Sequence, residues 1–175
     1  MLFRSLCFER HATSKISGID DLSSLSSMGF RGEALASIAS IARIDLLTAL
    51  QDGQGVQVEM EGGKLLSVHP APRKRGTTFE VRSLFYNVPA RKKFQKQSSA
   101  AFAEIHKLVT TLALAHPEIG FELISNDQTV LKVPSGNNQS FFELLHQRAA
   151  DLFQKTLLAT KLPVQGAARD RKSVV

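Results

Sequence analysis

Four short segments with alternating or β-branched residues follow one another in the first half of the chain, and they constrain its fold more than any other feature. They span residues 43–50, 55–61, 64–69 and 77–82. Gly62 and Gly63 separate the second segment from the third, and two adjacent glycines supply the positive φ angles that a two-residue hairpin turn requires. Residues 52–55 predict another turn. The sequence therefore predicts a run of strands that are mostly joined as hairpins.

Segments with helical periodicity surround these strands. Residues 32–42 place Leu35, Ile38 and either Ala39 or Ala42 on one face of a helix. A long amphipathic helix is predicted at 98–115, before Pro117, and another at 141–153. Residues 1–10 resemble the tail of a helix, and Asp20 is a candidate cap for a short one. The apolar stripe predicted for the long helix consists of Phe102, Ile105, Leu108, Val109 and Leu112.

Two further strands are predicted at residues 119–125 and 129–133, joined by a hairpin turn at 126–128. The order of elements is thus helices, a run of strands, a helix, two strands and a helix. This order predicts an α+β fold, in which helices cover a mostly antiparallel sheet, and argues against a doubly wound parallel sheet. A length of 175 residues is that of one ordinary domain.

Composition excludes several classes of protein. The apolar runs are far shorter than the ~20 residues that a membrane helix needs, and residues 1–10 lack the features of a signal peptide. The single cysteine, Cys7, excludes an intramolecular disulfide and a cysteine-rich zinc site. The net charge is +6, and basic residues concentrate at 73–75 and at 91–93 with Lys96. Such patches attract polyanions, although solvated surface charge is an equally good interpretation.

Gly29 and Gly32 stand three residues apart at the start of the helix predicted at 32–42. Two glycines at this spacing let the backbone turn sharply and approach a ligand closely. The N–H groups that follow, together with the helix dipole, favour an anion such as phosphate. By itself, however, the Gly-x-x-Gly spacing is more typical of a plain loop-to-helix turn.

The full run at 29–38, Gly-Phe-Arg-Gly-Glu-Ala-Leu-Ala-Ser-Ile, resembles the signature of the MutL family of DNA mismatch repair proteins. Two more blocks fall in the family order. The first is Arg-His-Ala-Thr-Ser-Lys-Ile at 10–16, and the second comprises Gly-Thr-Thr-Phe-Glu-Val at 76–81 and Leu-Phe-Tyr-Asn-Val-Pro-Ala-Arg-Lys-Lys-Phe at 84–94. The resemblance runs from about residue 9 to residue 133, and more loosely to residue 164.

The resemblance implies a two-layer sandwich of the GHKL ATPase type, in which a flexible lid covers the nucleotide. Thr77 would reach the adenine end of ATP, and the lid residues would surround the phosphates. Taken alone, Thr77 is an ordinary strand residue and Lys15 a solvated charge, and Arg31 either contacts phosphate or pairs with Glu33. The cofactor-binding residues implied by the resemblance are Thr13, Ser14, Lys15, Gly29, Phe30, Arg31, Gly32, Glu33, Ala34, Leu35 and Thr77.

The resemblance also implies cofactors and partners for the intact protein. These are ATP with Mg2+, sequence-independent contact with DNA, a homodimer or heterodimer, a mismatch-recognition protein of the MutS type, and no membrane. The location would be the bacterial cytoplasm and nucleoid, or the nucleus of a eukaryote. Two alternatives remain: a non-enzymatic basic module that binds nucleic acid, and an inactive gene fragment.

The residues that the family uses for hydrolysis are not found in this sequence. The family needs a general-base Glu and, four residues later, a magnesium-binding Asn on one helix, then Asp-x-Gly-x-Gly, all upstream of the 10–16 block. Glu122 and Asn126 have the spacing but fall on a predicted strand, and residues 52–55 fit a turn better. A P-loop motif is absent as well. We therefore expect no catalytic or metal-binding residue in this chain and no ATP hydrolysis by it alone.

These considerations set the expected boundaries. Residues 1–164 would form a partial GHKL domain, truncated at its N-terminus, and 165–175 a tail. The last six residues, 170–175, can be encoded by GATCGGAAGAGCGTCGTG, which is a common sequencing-adapter read. We therefore interpret them as an artefact, with a natural charged tail as the alternative.

Overall fold

The computed structural model describes residues 6–16, 18–24, 29–137 and 139–153. The chain divides into two compact units, residues 1–95 and residues 96–175. The described elements are four α-helices, six strands and two 3-10 helices, which alternate in the α+β order predicted from the sequence. The tail at 165–175 lies outside the described residues, so its interpretation stays a prediction, as does the domain boundary at residue 164.

The first unit contains a four-stranded antiparallel sheet in the order β3-β2-β1-β4. The four predicted strands are confirmed, with ends that differ by no more than one residue. The turn between β2 and β3 has φ angles of 55° at Gly62 and 81° at Gly63, as the paired glycines predicted. The strands are β1 at Arg43–Ala49, β2 at Gly55–Glu61, β3 at Lys64–Pro70 and β4 at Gly76–Arg82.

One face of this sheet carries the core of the first unit. Alternate residues of β1 and β2 point to it because successive side chains of a strand point to opposite faces. Val58, at its centre, has no exposed surface, and burial of a side chain of this size contributes about 1.5–3 kcal/mol. Phe8 and helix α1, at Ala34–Ala39, cover the face. Its buried residues are Phe8, Ala39, Ala42, Ile44, Leu46, Val56, Val58 and Met60.

Helix α1 has the predicted apolar face but is shorter than the predicted range of 32–42. Leu35 and Ile38 pack against the core, and Ala39 and Ala42 are buried. Gly32 has a φ of +64°, which no right-handed helical residue adopts, so the helix begins at Ala34. It ends at Ala39 because the chain must turn within the next three residues before it enters β1 at Arg43.

The second unit consists of α3 at Ser98–Ala115, the hairpin of β5 at Phe121–Ser125 and β6 at Gln128–Val133, and α4 at Phe141–Phe153. Both helices have the predicted bounds. Asn126 and Asp127 form the hairpin turn, each with a positive φ, which these two residue types tolerate better than most. The core contains Ala113, Leu131 and Val133, and Val109 packs against it.

The apolar stripe predicted for α3 is only partly correct. Val109 packs against the core as predicted, but Ile105 and Leu108 are 49% and 59% exposed. The small Ala113 is the fully buried residue of this helix, and it lies one turn beyond Val109. The helix therefore turns the face of Val109 and Ala113 toward the hairpin. Leu108 lies on the opposite side of the helix from Ala113, whereas Ile105, one turn before Val109, is exposed although it shares the side of Val109.

Arg148, on α4, is only 2% exposed and ties three parts of the second unit together. Its guanidinium donates hydrogen bonds to four main-chain carbonyl oxygens at 2.6–2.9 Å. A guanidinium holds several N–H donors in a fixed planar arrangement, which allows one side chain to reach four acceptors. The acceptors are those of Ala113 at the end of α3, Pro117 and Ile119 before β5, and Pro134 after β6.

Helix α4 begins with a reciprocal cap. Ser140 N–H donates to the Glu143 carboxylate at 2.9 Å, and Glu143 N–H donates to Ser140 Oγ at 3.4 Å. This pattern satisfies N–H groups that have no partner within the helix. Hydrogen bonds from the Ser140 hydroxyl and N–H lower the pKa of Glu143 below its ordinary range.

Three smaller predictions have different outcomes. Asp20 lies inside the 3-10 helix Ile19–Ser24 and does not cap it; instead Asp21 accepts the N–H of Gly18 at 3.0 Å. Of the helix tail predicted at 1–10, the structure describes a 3-10 turn at Leu6–Phe8, and residues 1–5 lie outside the described ones. Within the described part of the chain, no helix is long and apolar enough to cross a membrane.

Candidate functional site

A cavity of about 440 Å3 opens in the first unit where two separate stretches of the chain meet. One stretch is residues 12–15 and the other is residues 29–35; Cys7 completes the lining. Ten of the eleven residues that the resemblance singled out lie in these two stretches, and Thr77 does not line the cavity. Residues about 15 positions apart in sequence are thus brought together at one place.

The two stretches are joined by direct backbone contact. His11 N–H donates to the carbonyl oxygen of Gly32 at 3.1 Å. A Cβ atom built at Gly32 would lie 2.5 Å from the carbonyl oxygen of Ala12, a distance that real Cβ atoms do not reach. Glycine at position 32 is therefore required for both its conformation, φ +64°, and this close approach.

Gly29 shares the left-handed backbone conformation of Gly32 but not its surroundings. Its φ is +72°, and a Cβ atom built there would meet no atom of the described residues within 4 Å. Gly29 has no side chain and lies in open space, so nothing on this residue obstructs access from the cavity to the loop backbone. A loop with this geometry presents its backbone to a ligand.

The charged side chains at the cavity form a small network around Glu33. Arg31 Nε lies 3.1 Å and His11 Nδ1 3.5 Å from the two oxygens of this carboxylate. The side chains of Arg31 and His11 are mostly exposed, so each pairing is weak and exchangeable. Of the two roles that the sequence left open for Arg31, the pairing with Glu33 is the one that the structure contains.

Lys15 and Cys7 complete the chemistry of the lining. Lys15 N–H donates to the Thr13 hydroxyl oxygen at 3.2 Å, which bends the 12–15 stretch around the cavity. Burial raises the pKa of the Cys7 thiol, so this group stays protonated at neutral pH. The described part of the chain contains no group of three His, Cys, Asp or Glu side chains that is arranged to hold a metal ion.

Thr77 lies on β4, directly opposite Thr48 of β1, and the two hydroxyl oxygens are 2.8 Å apart. Alternation along β4 places Thr77 on the same sheet face as Phe79, which packs against the core. It is exposed there. The sheet thus presents a hydroxyl on its core-bearing face but outside the cavity lining.

No chemical role follows from the sequence of residues 84–94, but its aromatic residues Phe85, Tyr86 and Phe94 are expected to anchor the segment in the core, and Pro89 is expected to begin a short helix. Phe85 and Tyr86 are half-buried, and helix α2 spans Pro89–Lys93. Phe94 is 88% exposed, so the expectation for this residue is wrong. Asn87 donates its side-chain amide to the carbonyl oxygen of Ser40 at 2.9 Å, directly after α1. No pattern in the sequence indicates that contact.

The two stretches that only partly match the spacing of the family's hydrolysis motifs have the structures predicted for them. Glu122 lies on β5 and pairs with Lys132 at 3.0 Å, and Asn126 lies in the hairpin turn that follows, so the two do not share a helix. Asp52 and Gly53 lie in the turn between β1 and β2, where the Asp52 carboxylate accepts the N–H of Arg75.

Comparison with known proteins gives one consistent result. The DNA mismatch repair protein MutL of Acidobacterium capsulatum is 49% identical over 136 residues, which cover 77% of this chain and 20% of the relative. MutL of Shouchella clausii is 39% identical over 165 residues, covering 94% and 24%. The ATPase domain of Aquifex aeolicus MutL complexed with ADP superposes with a TM-score of 0.63 at 29% identity, covering 79% and 52%. No protein-family model matches the chain.

The α+β fold of the chain, with its antiparallel sheet, is that of the GHKL class of ATPase domains. Within this class, the chain belongs to the MutL family of DNA mismatch repair proteins. It spans about a fifth to a quarter of the length of the two relatives compared, and about half of the solved ATPase domain.

Proposed function

We propose that the chain contributes the phosphate-binding lid of a MutL-type ATPase domain, and that this lid comprises residues 13–15 and 29–35. The observation that carries the proposal is the cavity itself, since these two stretches supply most of the described residues that line it. The two glycines keep the loop backbone accessible, and Lys15 and Arg31 supply positive charge for phosphate oxygens. The similar Aquifex aeolicus domain was solved with ADP, which supports a nucleotide as the ligand.

The residues at the cavity fit the phosphates better than they fit a metal ion. Among the described residues that line it, Glu33 is the only one with a carboxylate, and this carboxylate already faces Arg31 and His11. A magnesium ligand would therefore come from outside this lining. Thr77, with its exposed hydroxyl on the core-bearing sheet face, is proposed as a contact for the adenine end.

For the intact protein we propose the activity of its relatives, which is DNA mismatch repair driven by ATP binding and hydrolysis. ATP with Mg2+ would be the cofactor. Duplex DNA, a second subunit and a MutS-type protein would be the partners, and the compartment would be that of the genomic DNA. We propose that this chain alone binds nucleotide without hydrolysing it, because its 175 residues contain no Glu and Asn at helical spacing in the family position.

A binding titration with fluorescent MANT-ADP tests the phosphate-binding role. Replacement of Lys15 by Ala removes a charge-assisted hydrogen bond and is expected to weaken the affinity by about 10-fold or more. The matched control is Lys64→Ala, which removes one exposed cation from the β2–β3 hairpin, away from the cavity lining. ADP should displace MANT-ADP far better than adenosine does.

Equal displacement by adenosine and ADP, or equal affinity of the Lys15→Ala and Lys64→Ala variants, would contradict phosphate recognition by this cavity. Release of inorganic phosphate from ATP is measured on the same preparations. We expect the unmodified chain to release phosphate no faster than its Lys15→Ala variant. A faster rate that depends on Lys15 would show that the chain hydrolyses ATP alone.

A further inference from the structure

The carbonyl group of Ala39, the last residue of α1, and the carbonyl groups of the three residues that follow it each accept a hydrogen bond from one of two loops. The last carbonyls of a helix have no partner within it, and an α-helix of six residues has few internal hydrogen bonds to hold it in place. The bonds are Gly63 N–H to Ala39 O at 2.8 Å, Asn87 Nδ2 to Ser40 O at 2.9 Å, Phe85 N–H to Ile41 O at 2.7 Å and Gly62 N–H to Ala42 O at 3.1 Å. We call the two loops that supply these donors, residues 62–63 and 85–87, the α1 clamp.

The two loops of the α1 clamp also contact each other. A Cβ atom built at Gly62 would lie 2.7 Å from Tyr86 Oη and 3.4 Å from Asn87 Nδ2, so the two loops approach each other closely. The guanidinium of Arg43, at the start of β1, lies over the Tyr86 ring at 5.3 Å. The α1 clamp is therefore one packed structure, attached to the sheet through β2 and β3 at one loop and through β4 at the other.

One residue of the α1 clamp has a strained backbone. Phe85 has a φ of +63°, a conformation that is rare for a bulky residue and persists only where the surroundings impose it. In this conformation its N–H points at the carbonyl of Ile41, 2.7 Å away. The strain is thus associated with a bond to the end of α1.

The opposite end of α1 lies at the cavity. Ala34 and Leu35, its first two residues, line the cavity together with the preceding loop. Six residues rise about 9 Å along a helix axis, so the end of α1 that the α1 clamp holds lies only about 9 Å from the end that borders the cavity. A shift at the clamped end would therefore displace the cavity-lining residues Ala34 and Leu35 as well.

We infer that Asn87 is a positioning residue for the cavity: it fixes the C-terminal end of α1 through Ser40 and so sets where the Gly29–Leu35 loop stands. This inference rests on the proposed nucleotide binding for its consequence, but the positioning itself is a property of the fold. Asn87 is the only side chain among the four donors of the α1 clamp. It is exposed, so its replacement leaves no internal void.

Three variants of the full chain test the inference. Asn87→Ala removes the amide, and Asn87→Asp keeps its shape while replacing the donor by an acceptor that repels the Ser40 carbonyl. Asn87→His is the rescue variant, because its ring Nδ1–H stands about as far from the backbone as the asparagine amide nitrogen. The matched control is Ser67→Ala, which removes one side-chain hydrogen bond, to Glu59 at 3.0 Å, on the same sheet but away from α1.

Two measurements are made on each variant: MANT-ADP affinity, and hydrogen exchange of the peptide that covers residues 33–42. We expect Asn87→Ala and Asn87→Asp to weaken the affinity about 3- to 10-fold and to speed exchange in this peptide by a similar factor. Asn87→His should return both values to within about 2-fold of the unmodified chain, and Ser67→Ala should change neither. A general loss of stability would affect the variants and the control alike, and would not be rescued by histidine.

The inference is overturned if Asn87→Ala and Asn87→Asp match Ser67→Ala in both measurements. If the unmodified chain fails to bind MANT-ADP, the proposed function fails instead, and exchange in the 33–42 peptide still decides whether Asn87 holds α1. Faster exchange there in the Asn87 variants, restored by histidine, supports the positioning role, and unchanged exchange contradicts it.

Discussion

Gly29 and Gly32 adopt the same left-handed backbone conformation in one loop, yet within the described part of the chain only Gly32 closely approaches a distant segment. Alanine at either position incurs backbone strain, about 1–2 kcal/mol. Alanine at position 32 would also place its methyl group against the backbone of Ala12 at 2.5–2.9 Å. A comparison of the two alanine variants therefore separates the effect of conformational strain from the effect of losing the contact that joins the two sides of the cavity.

We predict that Gly32→Ala abolishes measurable MANT-ADP binding and destabilises the first unit by more than about 2 kcal/mol. Gly29→Ala should destabilise it by about 1–2 kcal/mol and retain binding, because no atom lies where its methyl group would stand. Urea unfolding and the MANT-ADP titration give both quantities. Equal losses in the two variants would show that the contact with Ala12 does not matter.

At the scale of elements, the second unit depends on one buried cation. Arg148 joins α4 to the end of α3 and to the segments on either side of the β5–β6 hairpin through four carbonyl oxygens. Methionine at this position would fill a similar volume but leave these acceptors without their donors. Each buried acceptor that loses its partner costs about 1–3 kcal/mol, with partial relief where solvent enters.

We predict that Arg148→Met lowers the free energy of unfolding by about 3–5 kcal/mol in urea denaturation followed by circular dichroism. Arg148→Lys should recover less than half of the loss, since a single ammonium group cannot reach four acceptors that are arranged for a planar guanidinium. The neighbouring Gln147→Ala is the control: this side chain is exposed and, among the described residues, bonds only to Asp151, so its loss should be within about 0.5 kcal/mol. A small effect of Arg148→Met would mean that water replaces the guanidinium.

The elements also show which features a sequence can predict. The bounds of α3 and α4 follow from local periodicity and from Pro117, and the β2–β3 turn follows from its two glycines. Arg148 was not predicted, because a cation on an amphipathic helix ordinarily belongs to its solvated face and only the tertiary arrangement supplies four carbonyls to it. For the same reason the apolar residues of α3 did not reveal that Ile105 would be exposed.

The same distinction between local patterns and tertiary contacts applies to the candidate site. Its two stretches were found from motifs that are continuous in sequence, residues 10–16 and 29–38. Asn87 was not, because its partner Ser40 is 47 positions away in sequence, and a hydrogen bond to a main-chain carbonyl places no demand on the type of residue that accepts it. Contacts of this kind can be read only from three-dimensional coordinates.

At the scale of the whole molecule, the net charge of +6 is not evenly available to a partner. Arg73 donates to the carbonyl oxygen of Leu47, and Lys96 pairs with Glu104, so both are engaged within the protein. Arg91, Lys92 and Lys93 are exposed on α2, with no carboxylate at ion-pair distance among the described residues. This cluster therefore offers three neighbouring exposed cations to a polyanion such as DNA.

We predict that the chain binds duplex DNA of random sequence with an affinity that falls as salt rises. Replacement of Arg91, Lys92 and Lys93 by glutamine should make the negative slope of log affinity against log salt shallower by about 2–3, because fewer counterions are released. The control variant has Arg43, Arg82 and Lys132 replaced by glutamine; it loses the same net charge from cations that are paired with Glu61, Glu80 and Glu122. If the salt dependence of the affinity is equal in the two variants, binding depends on net charge and not on this cluster.

The backbone contact between His11, Ala12 and Gly32 has a consequence for how this region tolerates change in length. It closes the intervening chain into a loop whose ends are fixed at the cavity. The entropy of loop closure grows only with the logarithm of length, so doubling the number of intervening residues costs about 0.6 kcal/mol. Insertions between the two stretches should therefore be far less costly than a single methyl group added at Gly32.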